Sequence, residues 1–268
     1  MKNINSFSGG NTALRENDGT WIYGYDQNGN RTSKKSVDGN ETWTYEWDLH
    51  NRLVHVVQTN PKDGGNPVNV SYEYDGLNHR ISRKGTDGVK TEYAYGRNGA
   101  LAMEKTGART RSYVYTNGVI AGFVDSDGTL TETRYCITDR QGSVEKIVDD
   151  KTVLWESCYT AFGIKGGESV NKIDFTGMYT GKDVDAETGL AYHLNRWRSE
   201  DGSVWLSEDP ARDGSNWYGY CGNNPVKYLD PDGLEPVKSG PVRGTLAHLQ
   251  IQAYLSDPKT MEVLLNYI

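Results

Sequence analysis

Tyr23-Gly24-Tyr25-Asp26-Gln27-Asn28-Gly29-Asn30-Arg31 returns as Tyr45-Glu46-Trp47-Asp48-Leu49-His50-Asn51-Arg52 and again as Tyr72-Glu73-Tyr74-Asp75-Gly76-Leu77-Asn78-His79-Arg80. Weaker copies follow at Tyr93-Ala94-Tyr95-Gly96-Arg97-Asn98-Gly99 and Tyr113-Val114-Tyr115-Thr116-Asn117-Gly118. The spacing is irregular, roughly 20 to 27 residues, within the range of stacked repeat arrays. Aromatic residues at alternate positions set their rings on one face of a strand, and Asp followed by Asn or Gly supplies a tight turn. Each unit therefore reads as a β-hairpin. A lone hairpin is marginal in water, so the units are expected to join edge to edge in a larger sheet.

The composition agrees with many short strands and turns. In 268 residues there are 18 Tyr against 4 Phe, 31 Gly, 35% apolar residues and a mean hydropathy of −0.72. Tyr and Trp suit pleated, half-buried surfaces, where the ring packs and its polar edge stays wet. No apolar run approaches the ~20 residues needed to span a bilayer, so no membrane span is expected. Met1-Lys2-Asn3 opens into polar sequence without a hydrophobic signal core, so the expectation is either that the chain stays where it is made or that a longer parent carries the address. The net charge of −7 is dispersed, with no basic block, which argues against nucleic acid as a partner.

Cofactor and metal motifs are not evident. Cys136, Cys158 and Cys221 have no disulfide-framework or metal spacing, and the five histidines show no ligand spacing. Asp183-Val184-Asp185-Ala186-Glu187-Thr188-Gly189 is similar to a calcium loop, but its glycine is one position late and Leu194 stands where a bidentate Glu is needed. It reads as a turn.

The hairpin units resemble the YD repeats of the Rhs family, bacterial shell proteins related to the C components of insecticidal toxin complexes and to teneurins. That resemblance covers residues 1–134 and implies a β-hairpin ribbon spiralling into a hollow shell. From Tyr135 onward a second resemblance takes over. Asp139-Arg140-Gln141-Gly142-Ser143-Val144, Cys158-Tyr159-Thr160-Ala161-Phe162-Gly163, Glu187-Thr188-Gly189-Leu190-Ala191-Tyr192, Asn195-Arg196-Trp197, Asn223-Asn224-Pro225 and Asp230-Pro231-Asp232-Gly233-Leu234 follow one another as in the Rhs repeat-associated core domain. Over residues 135–234 this resemblance implies an all-β plug that curls inward and cuts its own chain after the final Leu. The scissile bond would be Leu234-Glu235, the acid pair Asp209 and Asp230, and the supporting core Arg196, Asn223, Asn224 and Pro225.

Three positions depart from the family's pattern. Arg198 and Ser199 stand where Tyr and Asp are usual, and Glu208 stands where some self-cleaving members carry Arg.

Two close carboxylates cannot both ionise readily, so one can serve as base and the other as acid in attacking an amide. Pro210 and Pro231 follow the two aspartates and stiffen the chain there. Asp230-Pro231-Asp232-Gly233 is equally a good type I turn, in which Asp230 would simply accept a backbone N–H. Asp232 belongs to that turn and is the alternative acid.

Residues 235–268 read as a linker followed by a short helical tail from Thr245. Leu246, Leu249 and Ala253 share one helical face, and Met261, Leu264, Leu265 and Ile268 mark a second segment. Such a tail is too small for an enzyme domain. The expected partners are the chain's own C-terminal segment or that of a longer parent, with other shell or secretion-machinery components. The expected location, from the resemblance, is secreted or cell-surface after synthesis in the cytoplasm. The alternatives are a structural or surface module that has lost the cut, and a sugar-binding protein using its aromatic faces.

Overall fold

The computed structural model describes residues 14–61, 64–96, 99–150, 152–212 and 214–238. The helical tail expected from Thr245 lies outside them. Fourteen antiparallel strands form one sheet in strict chain order: β1 (Trp21–Tyr25), β2 (Arg31–Ser36), β3 (Thr42–Trp47), β4 (Leu53–Thr59), β5 (Val68–Tyr74), β6 (Arg80–Lys84), β7 (Lys90–Tyr95), β8 (Leu101–Thr106), β9 (Arg109–Thr116), β10 (Val119–Ser126), β11 (Thr131–Thr138), β12 (Val144–Val148), β13 (Val153–Glu156) and β14 (Val170–Asn171). The sheet does not close, and β1 and β14 are its edges. Among the described residues there is no α-helix. The division expected between residues 134 and 135 falls inside β11.

The repeat has a physical basis in its aspartate. Asp26 Oδ1 accepts the amides of Asn28 and Asn30, both at 2.9 Å. Asp48 does the same for His50 and Arg52 at 2.8 and 3.0 Å, and Asp75 for Leu77 and His79 at 2.8 and 2.9 Å. Asp139, past the recognisable repeats, repeats the pattern with Gln141 and Ser143, both at 2.8 Å. A side-chain carboxylate thus reinforces each tip beside the backbone turn bond from the residue three further on to the aspartate carbonyl.

The register slips at Gly24/Tyr25, Glu46/Trp47, Glu73/Tyr74, Ala94/Tyr95 and Ile137/Thr138, so a bulge sits just before each of these turns. Bulges increase local twist and bend the strand, which curls the sheet.

The first ring of each strong repeat, Tyr23, Tyr45 or Tyr72, is buried on one face. The second ring reaches back to the preceding hairpin: Trp47 Nε1 donates to Arg31 O at 2.7 Å and Tyr74 Oη to Leu53 O at 2.7 Å. This couples neighbours and explains why one unit alone would not hold.

One face of the sheet is covered by residues 174–238, a plug with little regular structure. It contains the two-stranded pieces β15 (Met178–Tyr179) with β16 (Lys182–Asp183), β17 (Ala191–His193) with β18 (Arg196–Arg198), and β19 (Tyr228–Leu229) with β20 (Val237–Lys238). A 3-10 turn covers Tyr220–Asn223. Leu190, Tyr192, Trp197 and Leu206 pack on Trp43, Tyr45, Leu53, Val56, Val70 and Tyr72 of the sheet. Phe175 and Met178 pack on a second cluster around Ile120, Phe123, Ile147 and Trp155.

Burying each such side chain contributes about 1.5–3 kcal/mol. Buried cations join the layers as well. Arg80 lies 4.0 Å from the Tyr93 ring centre and 4.8 Å from that of Tyr192, and it pairs with Asp183 of the plug.

The calcium-like loop is a turn closed by charge. Asp185 accepts Arg83 Nε at 2.7 Å, Tyr72 Oη at 2.9 Å and the amides of Glu187 and Thr188.

Candidate self-cleavage site

The strands β17 and β18 meet in a tight hairpin, His193-Leu194-Asn195-Arg196, with Leu194 in the left-handed region at φ 60°. Against this hairpin lies the turn Asp230–Leu234, which is the start of the loop joining β19 to β20. The hairpin grips the turn by its carbonyls. His193 Nδ1 meets Asp230 O at 3.0 Å, and the backbone N and Nδ2 of Asn195 both donate to Asp232 O at 3.1 Å. Arg196 Nε donates to Gly233 O, and Arg196 Nη2 to Leu234 O at 3.3 Å.

Gly233 has φ 77°, and a β-carbon there would sit 2.7 Å from His193 O and 3.0 Å from Arg196 N. No other residue fits this approach without displacing backbone.

Arg196 also gathers the two aspartates. Its Nη1 is 3.4 Å from Asp209 Oδ2 and its Nη2 is 3.3 Å from Asp230 Oδ2. The Arg196 side chain is 2% exposed, and its guanidinium carbon lies over the Trp205 ring, 4.3 Å from the ring centre. One cation therefore touches both carboxylates and the carbonyl of Leu234.

The two acids differ in setting. The Asp230 side chain is 0% exposed, and its Oδ1 accepts the amides of Gly233 at 2.8 Å and Leu234 at 3.1 Å. Burial pushes its carboxyl above the usual range, against the opposing pull of Arg196 and those amides. Asp209, with its side chain 11% exposed, accepts the amide of Ala211 at 2.8 Å. Asp209 and Leu234 border the same cleft of about 650 Å³, lined also by Asn28, Asn51, Arg52 and Asn195. Beyond Leu234 the chain from Glu235 to Lys238 is exposed.

The remaining expected residues are distributed as follows. Pro231 is half-buried within the turn, and Asp232 Oδ1 accepts the Leu234 amide at 3.2 Å. Asn223, Asn224 and Pro225 form a separate turn: Asn224 O accepts the amides of Lys227 and Tyr228, and Pro225 O accepts Gln141 Nε2 at 2.6 Å. They lie apart from the Asp209, Arg196 and Asp230 cluster, with Asn223 and Asn224 exposed.

The three departures are absorbed by local partners. Glu208 pairs with Arg212 at 3.1 Å. Arg198 is buried between Tyr179 and Tyr220, at 4.8 and 4.7 Å from their ring centres, and donates to Phe162 O at 3.0 Å. Ser199 Oγ donates to Asp201 at 2.6 Å.

The sequence reading missed His193 and Asn195 as part of this cradle. Their trace is the Leu194-Asn195 turn between the triplets Ala191-Tyr192-His193 and Arg196-Trp197-Arg198, with Asn195 opening the stretch Asn195-Arg196-Trp197.

The family model described as Teneurin YD-shell matches residues 18–226. The chain belongs to the Rhs/YD-repeat family. Among its YD-shell relatives is the tRNA3(Ser)-specific nuclease WapA of Bacillus spizizenii, 34% identical over 222 residues, which cover 78% of this chain and 9% of WapA. The probable deoxyribonuclease RhsA of Dickeya dadantii is 28% identical over 227 residues, 79% of this chain and 15% of RhsA. The chain thus spans a small part of the length of these relatives, and the nuclease names describe the whole proteins. A structure of the Photorhabdus luminescens Tc holotoxin pore superposes with a TM-score of 0.58 at 21% identity, over 81% of this chain and 13% of the matched one. This likeness shows a shared fold.

Proposed function

We propose that this chain is a piece of a toxin-associated YD-shell whose core domain, residues 135–234, cuts the Leu234–Glu235 bond once. The observation that carries the reading is Arg196, whose guanidinium touches Asp209, Asp230 and the Leu234 carbonyl together. Asp209, at the cleft, is suited to take a proton from an attacking water. Arg196 stabilises the charge that develops on the Leu234 oxygen, as a pre-placed donor does for an oxyanion. Asp230, its carboxyl raised by burial, is suited to deliver a proton to the departing amine of Glu235. Water attacks the carbonyl carbon, the C–N bond breaks, and the products are a carboxylate on Leu234 and an amine on Glu235.

The partners that follow are the segment after Leu234, that of a longer parent, and other toxin-complex components. The setting is secretion or the cell surface. A toxin assembly among the solved relatives supports this reading.

A second reading is structural. Both aspartates close turns, and Arg196 neutralises them, so the same knot would lock the plug with no cut.

Mass spectrometry of the expressed chain under denaturing conditions separates the two. Self-cleavage predicts a fragment beginning at Glu235 that disappears in Asp209→Asn and in Asp230→Asn. A single intact species from the unaltered chain would leave the structural lock. Cutting that persists in both variants would remove the acid pair while keeping the cut site.

A further inference from the structure

Of the groups that hold the Asp230–Leu234 turn, Arg196 and Asn195 bind Asp232, Gly233 and Leu234, while the Asp230 carbonyl is met by a histidine ring, at 3.0 Å. That ring is fully buried. It stands edge-on to Trp205, with centres 5.0 Å apart at 87°, and tilted against Tyr220 at 5.8 Å and 66°. A carbonyl can only accept, so Nδ1 carries the proton and donates it, and the neutral ring presents Nε2 as a bare acceptor. Nε2 is buried and has no partner. Burial, with Arg198, Lys182 and Arg196 nearby, holds the ring well below the usual histidine range and therefore neutral.

We propose that His193 is a positioning residue for the cut, an inference that rests on the self-cleavage reading: its Nδ1–H fixes the Asp230 backbone and so aims the Asp230 carboxyl. The geometry favours this over simple filling of the core. Asp230 is fixed at three points, by His193 at its carbonyl, by the amides of Gly233 and Leu234 at Oδ1, and by Arg196 at Oδ2. The first is the only one of the three that comes from a side chain remote from the reacting bond. Loss of it frees the Asp230 carbonyl to rotate away from the hairpin, and small misplacements of a reacting group slow a reaction steeply.

Two variants separate aim from packing. His193→Leu keeps the bulk and loses the donor. His193→Asn loses the ring, but its Nδ2 sits two bonds from Cβ, as Nδ1 does, and can still donate to Asp230 O. Each is made in the full chain, and its cleavage rate is followed by mass spectrometry after refolding. The melting temperature is measured in parallel in an Asp230→Asn background, where every sample stays uncut.

The expected result is a crossing of the two scales: His193→Leu melts higher than His193→Asn but cuts at least about tenfold slower than the unaltered chain, and His193→Asn, though it melts lower, cuts faster than His193→Leu. Rates that simply follow melting temperature would overturn the positioning role. If His193→Asn does not fold, a folded His193→Leu that cuts at the unaltered rate overturns it. No cutting by the unaltered chain would remove the self-cleavage reading together with this one, whereas cutting without the crossing removes His193 alone.

Discussion

In the sheet, Asp48 accepts the amides of His50 and Arg52 and pairs with the Arg52 guanidinium at 2.7 Å. In the plug, Asp230 accepts the amides of Gly233 and Leu234 and faces Arg196 at 3.3 Å. The hydrogen-bonding inventory is nearly the same. The surroundings differ: the Asp48 side chain is 23% exposed, and that of Asp230 is 0% exposed. Burial opposes the charge at both positions. At Asp48 the guanidinium and amides prevail and the carboxyl lies below its usual range; at Asp230 burial prevails and the carboxyl lies above it. Burial makes the turn-closing Asp230 a candidate acid, whereas the equally buried Asp185, against its own desolvation, is held below the usual range by Arg83 at 2.7 Å. The repeat's turn chemistry is thus also present at the candidate site, under a different local dielectric.

The largest test of this contrast is removal of each arginine. Arg196→Ala leaves two carboxylates buried without their cation and is expected to cost about 3–5 kcal/mol in urea unfolding, with loss of cutting. Arg52→Ala, at a partly exposed pair, is expected to cost under about 1 kcal/mol. Equal losses would break the distinction between plug and sheet.

Glycine tips come next. Gly233→Ala puts a β-carbon against His193 O at a positive φ and is expected to cost about 2–3 kcal/mol. Gly76→Ala, in the Asp75 turn with open space around it, is expected to stay within about 0.5 kcal/mol of the unaltered chain. Thermal melting of both variants measures the difference.

Charge removal gives the smallest effect and the clearest sign. Asp48 has a depressed carboxyl, so its contribution to stability is present above the unfolded value of about 3.9 and is lost as pH falls through the folded one. Asp230 has a raised carboxyl, so its contribution is complete below about 3.9 and is lost as pH rises through the folded value. At neutral pH, Asp48→Asn should therefore lower stability by about 0.5–1 kcal/mol, while Asp230→Asn leaves it unaltered or raises it. Both differences should fade toward pH 3. A loss in Asp230→Asn as large as in Asp48→Asn would put the two aspartates back into one class.

The hairpins were legible because their determinants are local. Tyr-x-Tyr-Asp writes the buried ring, the strand period and the turn closure within a few residues, and Tyr23, Tyr45 and Tyr72 lie where that pattern requires. The bulge before each turn was not legible, since a register slip belongs to two strands together. Nor was the continuation of the sheet to Asn171, where the aromatic pattern has already faded but the Asp139 turn persists. Glu208 looked adverse in the linear order beside Asp209, yet its carboxylate turns to Arg212, and the guanidinium that reaches Asp209 comes from Arg196.

The sequence by itself determined the all-β class, the hairpin unit, the family and the residues Asp209, Asp230 and Arg196 as a set worth bringing together. Only the tertiary structure decided that one guanidinium meets both acids and the Leu234 carbonyl, that His193 holds the turn, and that Asp230 lies in the dry interior while Asp209 meets a cleft. The reason is physical. Strand period and turn closure depend on neighbours a few residues away, whereas desolvation and charge depend on everything packed around a group, and for Asp230 that includes a hairpin more than thirty residues earlier in the chain.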